Sequence, residues 1–232
     1  EGSQLLEIDL RGTSCTDLKN LKYCTNLVNL AVDNKDTDFT NIQSLINSLS
    51  TKNRIRAYWG NYVGFYSSFE CAKNLNNCSN IETLDIFEWG SNDSGKVLDL
   101  SNCTGLKEIR GQNTYFTIKV PINLKIWNTS NNAAPDLSMA RDITSFSEVA
   151  LSYSQEKLDT LFKELSNCLN LDSIHLRIMS TKEYSLEYIG NLKNTSISSI
   201  ILSDWNDGRG QKAFSSLEKI GAISTLTKLE VT

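Results

Sequence analysis

The stretch Cys168-Leu-Asn-Leu-Asp-Ser-Ile-His-Leu176 decides how this chain is read. Leu171, Ile174 and Leu176 are its apolar anchors. The last two alternate with polar residues as a half-buried strand does, and Leu171 turns the chain into that strand. The same phrase returns as Cys24-Thr-Asn-Leu-Val-Asn-Leu-Ala-Val32, Cys78-Ser-Asn-Ile-Glu-Thr-Leu-Asp-Ile86 and Cys103-Thr-Gly-Leu-Lys-Glu-Ile109. Ile197-Ser-Ser-Ile-Ile-Leu202 and Leu226-Thr-Lys-Leu-Glu-Val231 keep it without the cysteine. All share the spacing L-x-x-L-x-L. A phrase that recurs in this way describes a unit that buries its apolar face only against its neighbours.

Placing the first position of every such phrase gives Leu5, Leu27, Lys52, Ile81, Leu106, Pro121, Phe146, Leu171, Ile197 and Leu226, hence ten strands. The intervals run from 22 to 29 residues, with one short step of 15 between Leu106 and Pro121. At Lys52 and Pro121 the first position has lost its apolar residue, so the assignment rests on Ile55 with Ala57 and on Leu124 with Ile126. This period and phrase define a leucine-rich repeat. The expected fold is α/β, a solenoid of about ten repeats forming a curved right-handed stack. A parallel β-sheet lines its concave face, and helices and extended segments form its convex face. Strands pack about 4.8 Å apart and helix axes roughly 8–10 Å apart, so a stack of both bends away from its helices. The bend is expected to relax around residues 93–145, where the helical pattern is poor.

Helical stripes stand between several strands. Ile42, Leu45, Ile46 and Leu49 share one, as do Leu158, Leu161, Phe162 and Leu165, and then Ala213, Phe214, Leu217 and Ile220. Thr40 with Gln43, and Ser180 with Glu183 ahead of Leu186 and Ile189, have capping-box spacing. A further helix is expected over Ser67 to Asn77. The short repeat has no room for one, and its Thr114-Tyr-Phe-Thr-Ile-Lys-Val120 is rich in β-formers, so an extended crossing is expected there.

With 40% hydrophobic and 22% charged residues and a net charge of −4, the composition is that of a soluble globular chain with no basic excess to hold phosphates. Nucleic acid is not an expected partner, and no apolar run is long enough for membrane insertion. A solenoid grows without enlarging a central core, so residues 1–232 are read as one domain. Neither outer strand has an evident polar cap, which leads us to expect a piece of a larger protein.

Cys24, Cys78, Cys103 and Cys168 each stand three residues before a first position, a regular phase that reads as packing of structural thiols. The alternatives are a disulfide, for which Cys78 and Cys103 precede neighbouring repeats, or a metal site, for which no C-x-x-C exists. His175 is the single histidine and falls on an outward strand position, with no nucleophile elbow to accompany it. Asp204-Trp-Asn-Asp-Gly208 brings its glycine one residue early for a calcium loop, and Gly60-Asn-Tyr-Val-Gly64 lacks the Lys-Ser/Thr of a phosphate loop. No cofactor or metal is expected, and nothing here argues for catalysis.

Thr16-Asp-Leu-Lys-Asn-Leu-Lys-Tyr-Cys-Thr-Asn-Leu-Val-Asn-Leu30 resembles the repeats of bacterial surface and secreted leucine-rich-repeat proteins of the internalin-like kind. Elsewhere the longer repeats depart towards ribonuclease-inhibitor-like units. The resemblance implies an extracellular or cell-surface protein that binds host or neighbouring proteins by its concave face.

The expected function is therefore a non-catalytic protein-binding module, used in recognition or adhesion. A carbohydrate-binding module is the alternative, motivated by Trp and Tyr near strand ends, and an enzyme is the weakest reading. The third, fifth and seventh residues of each strand face outward. This register collects Arg54, Arg56, Tyr58, Asp85, Phe87, Glu108, Arg110, Trp127, His175 and Arg177 on the wall, with Trp89 and Trp205 at its rim. Arginine beside exposed aromatic rings is the composition that interface hot spots favour.

Overall fold

The computed structural model describes residues 4–10, 13, 17–27, 29–32, 55–60, 75–77, 79, 81–87, 94–131, 133–150, 153–178, 183–204, 214, 215 and 217–232. Its strands are β1 (Glu7–Asp9), β2 (Asn29–Val32), β3 (Ile55–Gly60), β4 (Ile81–Phe87), β5 (Val97–Asp99), β6 (Glu108–Thr114) and β7 (Thr117–Lys119). They continue with β8 (Ile126–Asn131), β9 (Ser145–Ala150), β10 (Ser173–Ile178), β11 (Tyr184–Ser185), β12 (Ser199–Asp204), β13 (Phe214–Ser215) and β14 (Lys228–Val231). One large sheet runs β1-β2-β3-β4-β6-β8-β9-β10-β12-β14, so each strand lies beside its successor in the repeat series. Every pairing in it is parallel.

The register aligns the fourth positions of the phrase into one row: Ile8, Leu30, Ala57, Leu84, Ile109, Trp127, Phe146, Ile174, Ile200 and Leu229. From Leu84 to Ile200 the row is no more than 1% exposed. Seven first positions, Leu5, Leu27, Ile81, Leu106, Leu171, Ile197 and Leu226, stand as the sequence places them. Pro121 and Phe146 lose that position, and Lys52 lies outside the described residues. Ala57 lies in the fourth-position row rather than the sixth, beside a register shift at Ile55/Arg56. Leu124 and Ile143, both fully buried, replace Pro121 and Phe146 as first positions. Phe146 is itself a fourth-position residue, paired with Trp127 on one side and Ile174 on the other.

Before β2, β6, β10 and β14 the chain turns a corner built from two successive i→i+3 bonds. Cys24 N–H donates to Leu21 O at 2.8 Å and Leu27 N–H to Cys24 O at 3.0 Å; Cys103 and Leu106 repeat this, as do Cys168 and Leu171, both at 2.9 Å. Apolar residues at strict intervals of three then line one side, since 3₁₀ geometry brings i and i+3 into eclipse. That spacing produces the 3₁₀ segments Lys19–Tyr23, between buried Leu18, Leu21 and Cys24, and Glu187–Asn194, carrying Ile189 and Leu192. Leu158, Leu161, Phe162 and Leu165 instead mix intervals of three and four. They form the described α-helix, α1 (Gln155–Leu165), with all four buried and the Ser154 hydroxyl accepting from Lys157 N–H at 3.3 Å.

The helix expected over Ala213 to Ile220 is replaced by β13, which pairs in parallel with β11, and by a 3₁₀ turn over Leu217–Ala222. Pairing with the preceding repeat holds Phe214 extended and 8% exposed, so its stripe never becomes helical. The stretch Ile42–Leu49, its Thr40–Gln43 cap and the Ser180 cap lie outside the described residues, as does most of Ser67–Asn77. Behind the middle of the sheet, β7 crosses in extended form within Thr114–Val120 and pairs with β5. Leu98 and Ile118 point into the core there, while Lys119 bridges to Asp99 at 3.2 Å outside.

Candidate functional site

Because side chains alternate along a strand, burying the fourth and sixth positions turns the third, fifth and seventh the other way. No described element packs over that second face, so among the described residues the large parallel sheet is open on that side. Its fifth-position row reads Asp9, Ala31, Tyr58, Asp85, Arg110, Asn128, Ser147, His175, Ile201 and Glu230.

The face divides by chemistry. On β4 and β6, Arg110 Nε–H donates to Glu108 Oε1 at 2.6 Å, and the directly opposite Asp85 is 4% exposed. The hydrogen bond to Glu108, then the Glu108 and Asp85 charges, raise the Arg110 pKa against the burial that opposes it. The guanidinium is thereby held in place with 43% of its side chain exposed. Over β9 to β12 the third-position row of the face is small and hydroxylated. Ser145, Ser173 and Ser199 stand side by side, with Ser173 Oγ donating to Ser145 Oγ at 3.2 Å, and Ser147 lies beside His175. His175 is exposed and Arg177 half-buried on the same strand.

Of the residues expected on the wall, the structure brings Asp85, Glu108 and Arg110 together and sets His175 and Arg177 apart on β10. Arg56, Tyr58 and Phe87 lie in outward register on β3 and β4, with side chains outside the described set. Arg54, Trp89 and Trp205 lie outside the described residues altogether. The serine rows were missed because they follow from the register of Ile143, which places Ser145 and Ser147 outward.

Trp127 is the correction that matters most. It is 0% exposed, not on the wall, and its ring stacks on Phe146 with centroids 6.4 Å apart and planes 9° from parallel. Its indole N–H donates to Glu148 Oε2, which also accepts from Thr129 Oγ1 at 2.5 Å. Glu148 is 1% exposed and Thr129 4%. Burial first, and then the Glu148 charge, push the Tyr153 phenol well above its ordinary pKa. This closed cluster offers no opening to a substrate; it joins two repeats.

Cys24, Cys103 and Cys168 are buried, while Cys78 lies outside the described residues. Cys103 Sγ–H donates to Leu75 O at 3.0 Å, so the thiol satisfies a backbone carbonyl of the preceding repeat. Burial raises the Cys168 thiol pKa, partly offset by a backbone hydrogen bond from Ile143. Among the described residues no three His, Cys, Asp or Glu side chains gather as a metal site, and no helix is long and apolar enough to cross a membrane.

No protein-family model matches the chain, and the search of curated proteins finds no match. Among solved structures the chain is similar to internalin C2 from Listeria monocytogenes str. 4b F2365, at 16% identity and a TM-score of 0.45. That likeness covers 100% of this chain and 82% of the other. The fold description stands on the strand register itself.

Proposed function

We propose that this chain is a non-catalytic recognition module that binds another protein with the bare face of its large sheet. The observation that carries this reading is the uncovered face itself. Parallel sheets ordinarily have both faces packed, so one built at this length with one face open is a surface kept for a partner. Its two zones suit such a role. The Asp85–Glu108–Arg110 group offers a fixed charged anchor, and the serine rows of β9 to β12 let a partner's backbone approach closely. Arg56, Tyr58, Phe87, His175 and Arg177 extend the surface along the same rows. Trp127, being core, has no part in it. Placement on a bacterial surface rests on the resemblance of Thr16–Leu30 alone, and protease shaving of intact cells tests it.

The binding reading is tested with Asn128→Arg and Ser147→Trp, which project bulk from the middle of the face without touching the core. A partner captured by the wild-type chain is expected to be lost by both variants and kept by Lys157→Ala and Lys163→Ala on α1. Retention by both face variants would move the interface elsewhere.

A further inference from the structure

Between β6 and β14 the bare face changes character. Each of those two strands sets its own charges against each other, Arg110 against Glu108 at 2.6 Å and Lys228 against Glu230 at 3.6 Å. The strands between them, β8, β9, β10 and β12, turn their third, fifth and seventh positions to the same face. At those positions His175 and Arg177 are the ionisable side chains, and none of the others is acidic. In a chain of net charge −4, this stretch carries basic side chains alone. Across the strands His175 stands beside Ser147 and Ile201, and Arg177 beside Val149 and Ser203.

We propose that the partner segment docking on this face is acidic, an extended stretch of polypeptide that sets a Glu or Asp carboxylate against His175 and Arg177. The inference rests on the bare face being the binding face and adds the charge of what binds there. A partner that covers basic side chains removes them from water, and a facing carboxylate offsets that cost where a neutral or basic one does not. Charge complementarity therefore selects the sign. The surroundings suit a peptide. Ser145, Ser173 and Ser199 are half-buried and small, so a backbone can approach them, and each hydroxyl can both donate and accept. Strands about 4.8 Å apart give β8 to β12 a span of roughly 14 Å, the length of about four extended residues.

Proton NMR titration of the full chain tests this, because a single histidine gives one unambiguous set of imidazole signals. Three peptides of equal length serve as probes, with serine alternating with glutamate, glutamine or lysine. The glutamate peptide alone is expected to move the His175 signals. Its affinity is expected to rise several-fold as the pH is lowered from about 7.5 to about 5.5, where an imidazole gains its proton. Added salt is expected to weaken it. Ser147→Glu, which places a carboxylate of the chain's own beside His175, is expected to weaken the glutamate peptide at least several-fold, and Ser147→Lys to tighten it. Circular dichroism verifies that both variants are folded. Equal binding of the three peptides, or preference for the lysine peptide, overturns the acidic partner but leaves the face reading to Asn128→Arg and Ser147→Trp. A glutamate peptide that leaves the His175 signals unmoved, or that binds Ser147→Glu as it binds wild type, overturns it equally.

Discussion

Trp127→Ala separates a core tryptophan from a binding anchor more sharply than any other substitution in this chain. The indole is fully buried, stacks on Phe146 and donates to a carboxylate that is 1% exposed. Truncating a buried aromatic costs about 3–5 kcal/mol, because neighbouring strands fixed by parallel pairing cannot close the cavity. Loss of the hydrogen bond to Glu148 is worth about 0.5–1.5 kcal/mol, a term that overlaps the first because both arise in one cluster. For a chain of this length each kcal/mol lowers the melting temperature by about 2–4 °C, so a fall of about 10 °C or more is expected. Guanidinium unfolding followed by tryptophan fluorescence and circular dichroism gives the free energy. A double-mutant cycle of Trp127→Phe with Glu148→Leu isolates the hydrogen bond, since neither replacement keeps its donor or acceptor, with an expected coupling of about 0.5–1.5 kcal/mol. If Trp127→Ala unfolded within about 1 kcal/mol of wild type, the buried placement and the stacking would both be refuted.

Ile174→Ala in the middle of the fourth-position row is expected to cost about 2–5 kcal/mol, against less than about 0.5 kcal/mol for His175→Ala next to it, measured by the same unfolding curves. Burial raises the Glu164 carboxyl pKa above 4.5 against the opposing hydrogen bond from Leu137 N–H. The folded chain then binds more protons than the unfolded one between the two pKa values, so stability falls as pH rises through that window. Glu164→Gln should accordingly match wild type in acid and melt higher at pH 7, and equal melting temperatures at both pH values would refute this. Cys24, Cys103 and Cys168 are expected to react with a thiol reagent only on denaturation, and rapid native labelling of any one would contradict its placement.

The sequence was most readable where its apolar spacing was regular. Leu158, Leu161, Phe162 and Leu165 stand three and four residues apart across one stripe, and they fold as an α-helix. Leu18, Leu21, Cys24 and Leu27 step strictly by three, and they fold as 3₁₀ corners. Misreading came in the middle of the chain for a specific physical reason. The phrases Leu124-Lys-Ile-Trp127-Asn-Thr129 and Ile143-Thr-Ser-Phe146-Ser-Glu148 fit the repeat except at the sixth position, where Thr and Glu stand instead of apolar residues. Those two are directly opposite in register and satisfy each other across the strands, with Trp127 as a third member. Neither polar residue belongs in a core by itself; paired, both do, and no single-repeat pattern reveals the pairing. The error propagated to the site, because the displaced register put Trp127 on the wall and hid the outward serines. Asp85 was legible because its repeat keeps Ile81, Leu84 and Ile86, and Glu108 and Arg110 because theirs keeps Leu106 and Ile109 ahead of Gly111.

Site-specific photo-crosslinking to a bound partner tests the recognition surface most directly. A photoreactive residue at Asn128, Ser147 or His175 reports the bare face of the sheet, and one at Lys157 or Lys163 reports the opposite side at α1. The account predicts partner adducts from the first three positions and none from the last two. Adducts confined to Lys157 and Lys163, with none from the row across β8, β9 and β10, would contradict it.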